Sequence, residues 1–274
     1  MSTMPSHVEK ELNTPFEISS AMVDAFRKTG FSKIPGVLSK DTIAYMDEVI
    51  SAEVDRLNTQ HKRMEERDTY GKAFLQIMNI WRNSEEVKRI VMSKRLAHIA
   101  SQLLEVSGVR LYHDQALYKE PSGGHTPWHA DQYYWPLATD RTVTAWIPLQ
   151  QTPLELGPLE FSAGSASLEE GRDKEISDES QQLLDSLLKK TGFAHVIEPY
   201  ELGEVSFHTG WTYHRAGPNV TDKMRKVMTM IYMDKEMKLK SPGNKNQQAD
   251  WDAWCPGATI GSVIDTPLNP VIFP

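Results

Sequence analysis

The sequence predicts a mainly β fold with flanking helices: a double-stranded β-helix, or jelly roll of the cupin kind, with N-terminal helices packed outside it. From about residue 108 the chain runs in short strand-like stretches (VRLYHDQALYKE, TVTAWIPLQ, PLEFSAGS, FAHVIEPY, GEVSFHTG, KVMTMIYMD), each bounded by Gly, Pro or Asn. The residues before them repeat apolar side chains at helical intervals. Many short strands after a helical lead-in suit a double sheet better than alternating βα units. The 274 residues therefore read as one domain over 1–274. Its parts are a helical lead-in at about 1–107, a jelly-roll core at about 108–239 and an irregular tail at 240–274.

The elements follow in order. Phe16 to Thr29 carries Ile18, Met22 and Phe26 at helix-like spacing, and Gly30 stands where a helix stops. FSKIPGVLS is a short strand closed by a Pro-Gly turn. A second helix starts after Ser39, with Asp41 and Thr42 as caps, and runs through Tyr45, Val49 and Val54 towards Leu57. Residues 58–71 are polar and charged, and read as a loop. A third helix spans Ser84 to Leu104, where Val87, Ile90, Val91, Leu96, Ile99 and Leu103 make one apolar face. Segment 167–190 interrupts the strands as a charged, exposed insertion ending in a short helical pattern. Together with 58–71 it is a candidate lid, because compact domains prefer short connections. The tail is rich in Pro, Gly and Asn, with Trp251, Trp254 and Ile260 as anchors.

Bulk properties narrow the partners. A net charge of −7 argues against nucleic acid, which needs a basic face. The single cysteine, Cys255, excludes an internal disulfide and suits a reducing compartment, so the cytoplasm is expected. The start, MSTMPSHVEKELN, has no apolar leader core, and no stretch approaches the ~18 apolar residues of a membrane span. A small-molecule substrate is expected; monomer and homodimer both remain open.

The chemistry concentrates in WHADQYYWP and in FHTGWTYHRAGPNVTDKMR. His129 and Asp131 are two residues apart, and on a strand such residues face the same side. With His214 arriving from a distant strand, they form the two-His, one-carboxylate set of non-heme Fe(II) oxygenases, which leaves three metal positions open. Dense aromatic residues around convergent polar groups describe a pocket more than a solvated face. His208 competes as the distal ligand. His214 is preferred because it precedes GPN and lies eleven residues before Arg225. His125 reads as loop or pocket rim, and His113 as core or pocket. If the strands carrying His214 and Arg225 pair as an antiparallel hairpin, Arg225 lies close to opposite His214. Its guanidinium could then clamp a carboxylate at two points. The co-substrate 2-oxoglutarate needs that arrangement.

The stretches PWHADQYYWP, TVTAWIPL, GPLEFSAGSA and HRAGPNVTDKMR resemble those of the phytanoyl-CoA dioxygenase family of Fe(II)- and 2-oxoglutarate-dependent oxygenases. The likeness runs from FSKIPGVLS to the TPLNPV tail. It implies iron at His129, Asp131 and His214 and a 2-oxoglutarate salt bridge at Arg225. The family's co-substrate pocket positions are matched by Gln115 and Trp146. Lys119 shares a strand face with Gln115, and Gln76 in FLQIMNIW is a further candidate. The implied reaction hydroxylates an unactivated C–H bond of a small organic molecule using O2, with release of succinate and CO2. Ascorbate is the expected in vitro reductant. The chemistry is iron-centred, with no separate acid or base. Asp131 speaks against halogenation, for which this type of enzyme carries a small residue in its place. Desaturation, epoxidation or rearrangement would share the oxidant, and a non-catalytic metal-containing jelly-roll binding protein is the alternative from another class. Tyr133, Tyr134, Trp135, Trp81 and Met78 are candidates for an apolar substrate wall. No basic cluster offers a handle for CoA or a nucleotide.

Overall fold

The computed structural model describes residues 3–274; Met1 and Ser2, the start of the stretch read above for a leader, lie outside them. The lead-in comprises α1 (Ser6–Asn13), α2 (Ser20–Thr29), β1 (Phe31–Ile34), α3 (Lys40–Leu57), α4 (Thr69–Ala73), β2 (Leu75–Met78), α5 (Glu85–Val91) and α6 (Lys94–Leu104). There follow β3 (Val109–Lys119), β4 (Thr126–His129), β5 (Thr142–Pro148), β6 (Leu159–Ala163), α7 (Asp178–Thr191), β7 (Ala194–Ile197), β8 (Val205–Thr209), β9 (His214–Ala216), β10 (Arg225–Asp234), α8 (Lys245–Trp254) and β11 (Val271–Phe273).

The strands form two antiparallel sheets. The larger runs β1-β8-β5-β10-β3-β11 with β2 also on β3, and the smaller runs β4-β9-β6-β7. This is the expected jelly roll with helices outside. Helix α6 lies against β3, β5, β10 and β11; α1 and α2 pack on it, and α3 packs on α1 and α5. Strand β10 is central in the larger sheet and covered on both faces. That explains why KVMTMIYM is almost continuously apolar rather than alternating.

Local chemistry accounts for most helix ends. Ser19 caps α2 by accepting from the Met22 N–H, and Gly30 ends it at φ 81°. At α3 the cap is Ser39 itself, not Asp41 or Thr42, because the Ser39 hydroxyl accepts from the Thr42 N–H. The helix read as Ser84 to Leu104 is two helices. Ser93 breaks the run, caps α6 by accepting from the Leu96 N–H, and donates its hydroxyl to the Leu12 carbonyl at 2.9 Å. Both halves keep their apolar face inward, with Val87, Ile90, Val91, Leu96, Ile99 and Leu103 buried. Helix α1, absent from the sequence reading, buries only Val8 and Leu12.

Three other readings are corrected. Segment 58–71 holds a 3-10 turn at Met64–Glu66 and the start of α4, and Arg67 ties it, through an ion pair, to Glu120 just past the end of β3. Segment 167–190 is not an exposed insertion: α7 buries Leu184, Leu187 and Leu188 against Trp128 and Tyr213. The tail contains α8 and β11, and Ile260 is exposed rather than an anchor. Trp251 and Trp254 do pack, against a cluster that includes Tyr112 and Trp135.

Candidate active site

The first strand of the site ends at its first polar residue. β4 stops at His129, and Asp131 opens a 3-10 turn, Asp131–Tyr134, so the two are not on one strand as the spacing suggested. That turn is held by the Gln132 N–H donating to the Gly210 carbonyl at 2.9 Å and by the Thr142 hydroxyl donating to Gln132 at 2.7 Å. The turn still brings the carboxylate round. Asp131 Oδ1 lies 3.6 Å from His129 Nε2 and 3.7 Å from His214 Nε2. His129 and His214 are register partners across β4 and β9. Ligand atoms of the three residues all lie within 4.8 Å of one another.

The donor set fits ferrous iron. His129 Nδ1 lies 2.8 Å from the Pro127 carbonyl and His214 Nδ1 lies 3.0 Å from the Thr212 carbonyl. A carbonyl can only accept, so each Nδ1 carries the proton and each Nε2 lone pair faces Asp131. Burial, with imidazole neighbours second, pulls both histidines down to about 4, so they are neutral and able to ligate near pH 7. Burial pushes the Asp131 carboxyl up, but His214, His208 and His129 outweigh it and hold the group below the usual carboxylate range. Two neutral nitrogens and one carboxylate oxygen are the facial ligand set of non-heme iron oxygenases. The other carboxylate oxygen is occupied: Thr144 Oγ1 donates to Oδ2 at 3.2 Å, and His208 Nε2 lies 3.4 Å from it. His208 is therefore beside the site, orienting Asp131 rather than replacing His214.

A cavity of about 270 Å³ adjoins these residues. Arg225, Trp146, Gln115, Gln76, Leu117 and Thr126 line one part of it. Arg225 is 2 % exposed. It does not face His214 across a hairpin. β9 pairs with β4 and β6, whereas β10 pairs with β3 and β5, so the chain changes sheets between them. The two residues converge across the interior instead. One Arg225 nitrogen donates to the Gly157 carbonyl at 2.6 Å, while Nε is buried without a partner. Gly157 holds φ 67°, and a Cβ there would collide with the Gly217 carbonyl, so the backbone anchor depends on glycine. Arg225 lies over the Trp146 ring, 5.6 Å from its centroid. Burial pulls the guanidinium down to about 10, still fully charged near neutrality. Beside it on β3, Lys119 is buried, donating to the Gly124 and Gly217 carbonyls at 2.6 and 2.8 Å. The Gln76 amide donates to Gln115.

Met78, Tyr134 and Trp135 line the remaining part, together with His113, Ile176, Asp250 and Trp254. Tyr133 and Trp81 are not among the lining residues. Tyr133 turns towards α8, where its carbonyl accepts from Gln247, and Trp81 packs on the main core with its indole N–H on Asn79. Asp250 and Ile176 escaped the sequence reading. Both stand in polar stretches whose contact with the cavity depends on long-range folding.

The chain is similar to several known proteins. A family model described as phytanoyl-CoA dioxygenase (PhyH) matches residues 26–227. A protein of Stutzerimonas stutzeri described as a "probable alpha-ketoglutarate-dependent hypophosphite dioxygenase" is 21% identical over 218 residues, covering 74% of each chain. Among solved structures, the non-heme alpha-ketoglutarate-dependent carbocyclase SnoK of nogalamycin biosynthesis superposes with a TM-score of 0.76 at 24% identity, over 94% of this chain and 99% of its own. The epimerase SnoN in complex with Fe3+, alpha-ketoglutarate and nogalamycin RO gives 0.74 at 25% identity, over 92% and 97%. EctD from S. alaskensis, with 2-oxoglutarate and 5-hydroxyectoine, gives 0.65 at 20%, over 82% and 79%.

Proposed function

The chain belongs to the phytanoyl-CoA dioxygenase family and is an iron- and 2-oxoglutarate-dependent dioxygenase; from that premise we propose that it hydroxylates an unactivated C–H bond of a small organic molecule, with iron held by His129, Asp131 and His214. The observation that carries the ligand assignment is the pair of Nδ1-to-carbonyl contacts, which present both Nε2 lone pairs towards one Asp131 oxygen. When bound, iron with 2-oxoglutarate and O2 supplies the oxidising power, one oxygen atom going to succinate as CO2 leaves and the other to the substrate.

The protein's residues bind, orient and exclude water. Arg225 receives the far carboxylate of 2-oxoglutarate through its unpartnered Nε–H and remaining N–H groups, at a depth set by its bond to Gly157. Trp146 flanks that carboxylate, and the Gln76–Gln115 pair supplies polar groups along the keto acid. Thr144 and His208 hold Asp131 so that only Oδ1 turns to the metal. Trp135, Tyr134 and Ile176 shield the reacting carbon from bulk water. No side chain has to move a proton for hydroxylation. The cavity is near the low end of the roughly 300–1,000 Å³ that encloses small organic ligands, which favours a free small molecule over an acyl-CoA. Ring closure and epimerisation, for which the two nogalamycin enzymes are named, begin with the same C–H cleavage and are separated by product analysis.

No helix among the described residues is long and apolar enough to cross a membrane. The cytoplasm remains our assignment, supported by the lone buried cysteine. The test is direct. Protein loaded with Fe(II) and ascorbate should release succinate from 2-oxoglutarate slowly alone and faster with a substrate. No succinate from correctly loaded protein would favour a metal-containing binding protein.

A further inference from the structure

Six residues along β10 from Arg225, where Ile231 pairs with His113 of β3, the cavity carries an acid. Asp250, on α8, lines it and accepts from the Tyr112 hydroxyl at 3.1 Å. Among the described residues no Lys, Arg or His pairs with Asp250. Around it stand aromatic faces: Trp254 beside the carboxylate, Trp135, and Tyr134. His113 also lines the cavity, is 3 % exposed, and has its Nδ1 buried without a partner. Its ring lies 5.3 Å from that of Trp254, centroid to centroid. Burial pulls His113 down to about 4, so it is a neutral imidazole near pH 7.

We propose that this end of the cavity binds the protonated amine of the substrate, with Asp250 as counter-ion, Trp254 and Trp135 as flanking π faces and His113 as a further polar contact. The inference rests on the reading of the site given above and names the substrate class for it. A buried carboxylate whose donors are the neutral Tyr112 and Trp254 is costly to keep charged unless a cation meets it, and aromatic faces attract ammonium groups. Burial pushes Asp250 up to about 7, which a bound cation would reverse. An anionic substrate would meet repulsion from the same carboxylate.

Three isosteres separate the possibilities: cyclohexylmethylamine, cyclohexylmethanol and cyclohexanecarboxylate, with hypophosphite as a small-anion control. Each is titrated anaerobically into protein holding Fe(II) and 2-oxoglutarate, following both heat and the visible absorption of the iron complex. The amine should bind at least about tenfold more tightly than the alcohol, the scale of a partly desolvated cation–π and ion contact, and both anions should be weakest. Asp250→Asn should remove most of the gap between amine and alcohol, and Trp254→Leu a smaller part of it. Equal or tighter binding of the alcohol or an anion, a gap undiminished in Asp250→Asn, or failure of the amine to bind overturns the proposal. Failure of the wild type to take up 2-oxoglutarate with iron overturns instead the reading of the site on which it rests.

Discussion

The two ends of the cavity are built on opposite electrostatic plans. At one end Arg225 and Lys119 are both buried, and backbone carbonyls, not carboxylates, hold them in place. Arg225, which lines the cavity, keeps its charge for an incoming anion, while burial and the neighbouring Arg225 pull Lys119 down to about 6. At the other end Asp250 and His113 stand with Trp135, Trp254 and Tyr134, and among the described residues no Lys or Arg pairs with Asp250. His129, Asp131 and His214 line the cavity as well. The contrast teaches that the site is polarised before anything binds: a dicarboxylate is drawn to one end, and a cation to the other. The first end is built on β3, β5 and β10, while at the second Asp250 and Trp254 come from α8 of the tail and His113 from β3.

Four substitutions would break or sharpen this contrast, in descending size. Asp131→Ala removes the anionic ligand between the two ends, and succinate release should fall to background as bound iron, measured by elemental analysis, is lost. Arg225→Ala should weaken 2-oxoglutarate by about 1.5–3 kcal/mol, the cost of losing hydrogen bonds to a charged group, or roughly ten- to hundredfold in the dissociation constant. Retained affinity would take Arg225 out of its role. Exchanging Asp250 comes next, with the amine preference described above as its readout.

The smallest effect concerns Lys119. Burial, then repulsion from Arg225, pulls it down to about 6, against about 10.4 in an unfolded chain. Between those values the unfolded chain binds more protons, so stability without 2-oxoglutarate should rise with pH across that window. Lys119→Met should flatten the rise, gaining most near pH 6 and least near pH 9. Parallel melting-temperature curves for the two proteins would show that Lys119 is not the source.

The anionic plan was largely legible in the chain and the cationic one was not. His129 and Asp131 are two residues apart in sequence, and Arg225 follows His214 closely, so the candidate ligands and the anchor could be read as a pattern. What the pattern could not show was sheet membership. Local spacing suggests a hairpin for His214 and Arg225, yet partner choice is a long-range property, and the two strands join different sheets. Ser93 splits an unbroken apolar period because its hydroxyl can recap a helix, a choice periodicity does not register. Asp250 lies in a polar helix of low amphipathic contrast, within a stretch rich in turn-forming residues. Only the packing of Trp251 and Trp254 on Tyr112 and Trp135 brings it to the cavity. Trp81 and Tyr133 mislead for the opposite reason: aromatic residues close to a motif in sequence need not face the same way.

The segment 217–224 carries the chain from one sheet to the other. Asn219 is 1 % exposed and its amide donates to the carbonyls of Lys119, Glu120 and Lys223, clipping the crossing to the end of β3. Adding or deleting a residue there would disturb the Asn219 contacts, whereas His214 and Arg225 keep their places through their own strand pairings. The link is therefore where chain length can vary while the metal end and the keto-acid anchor hold still.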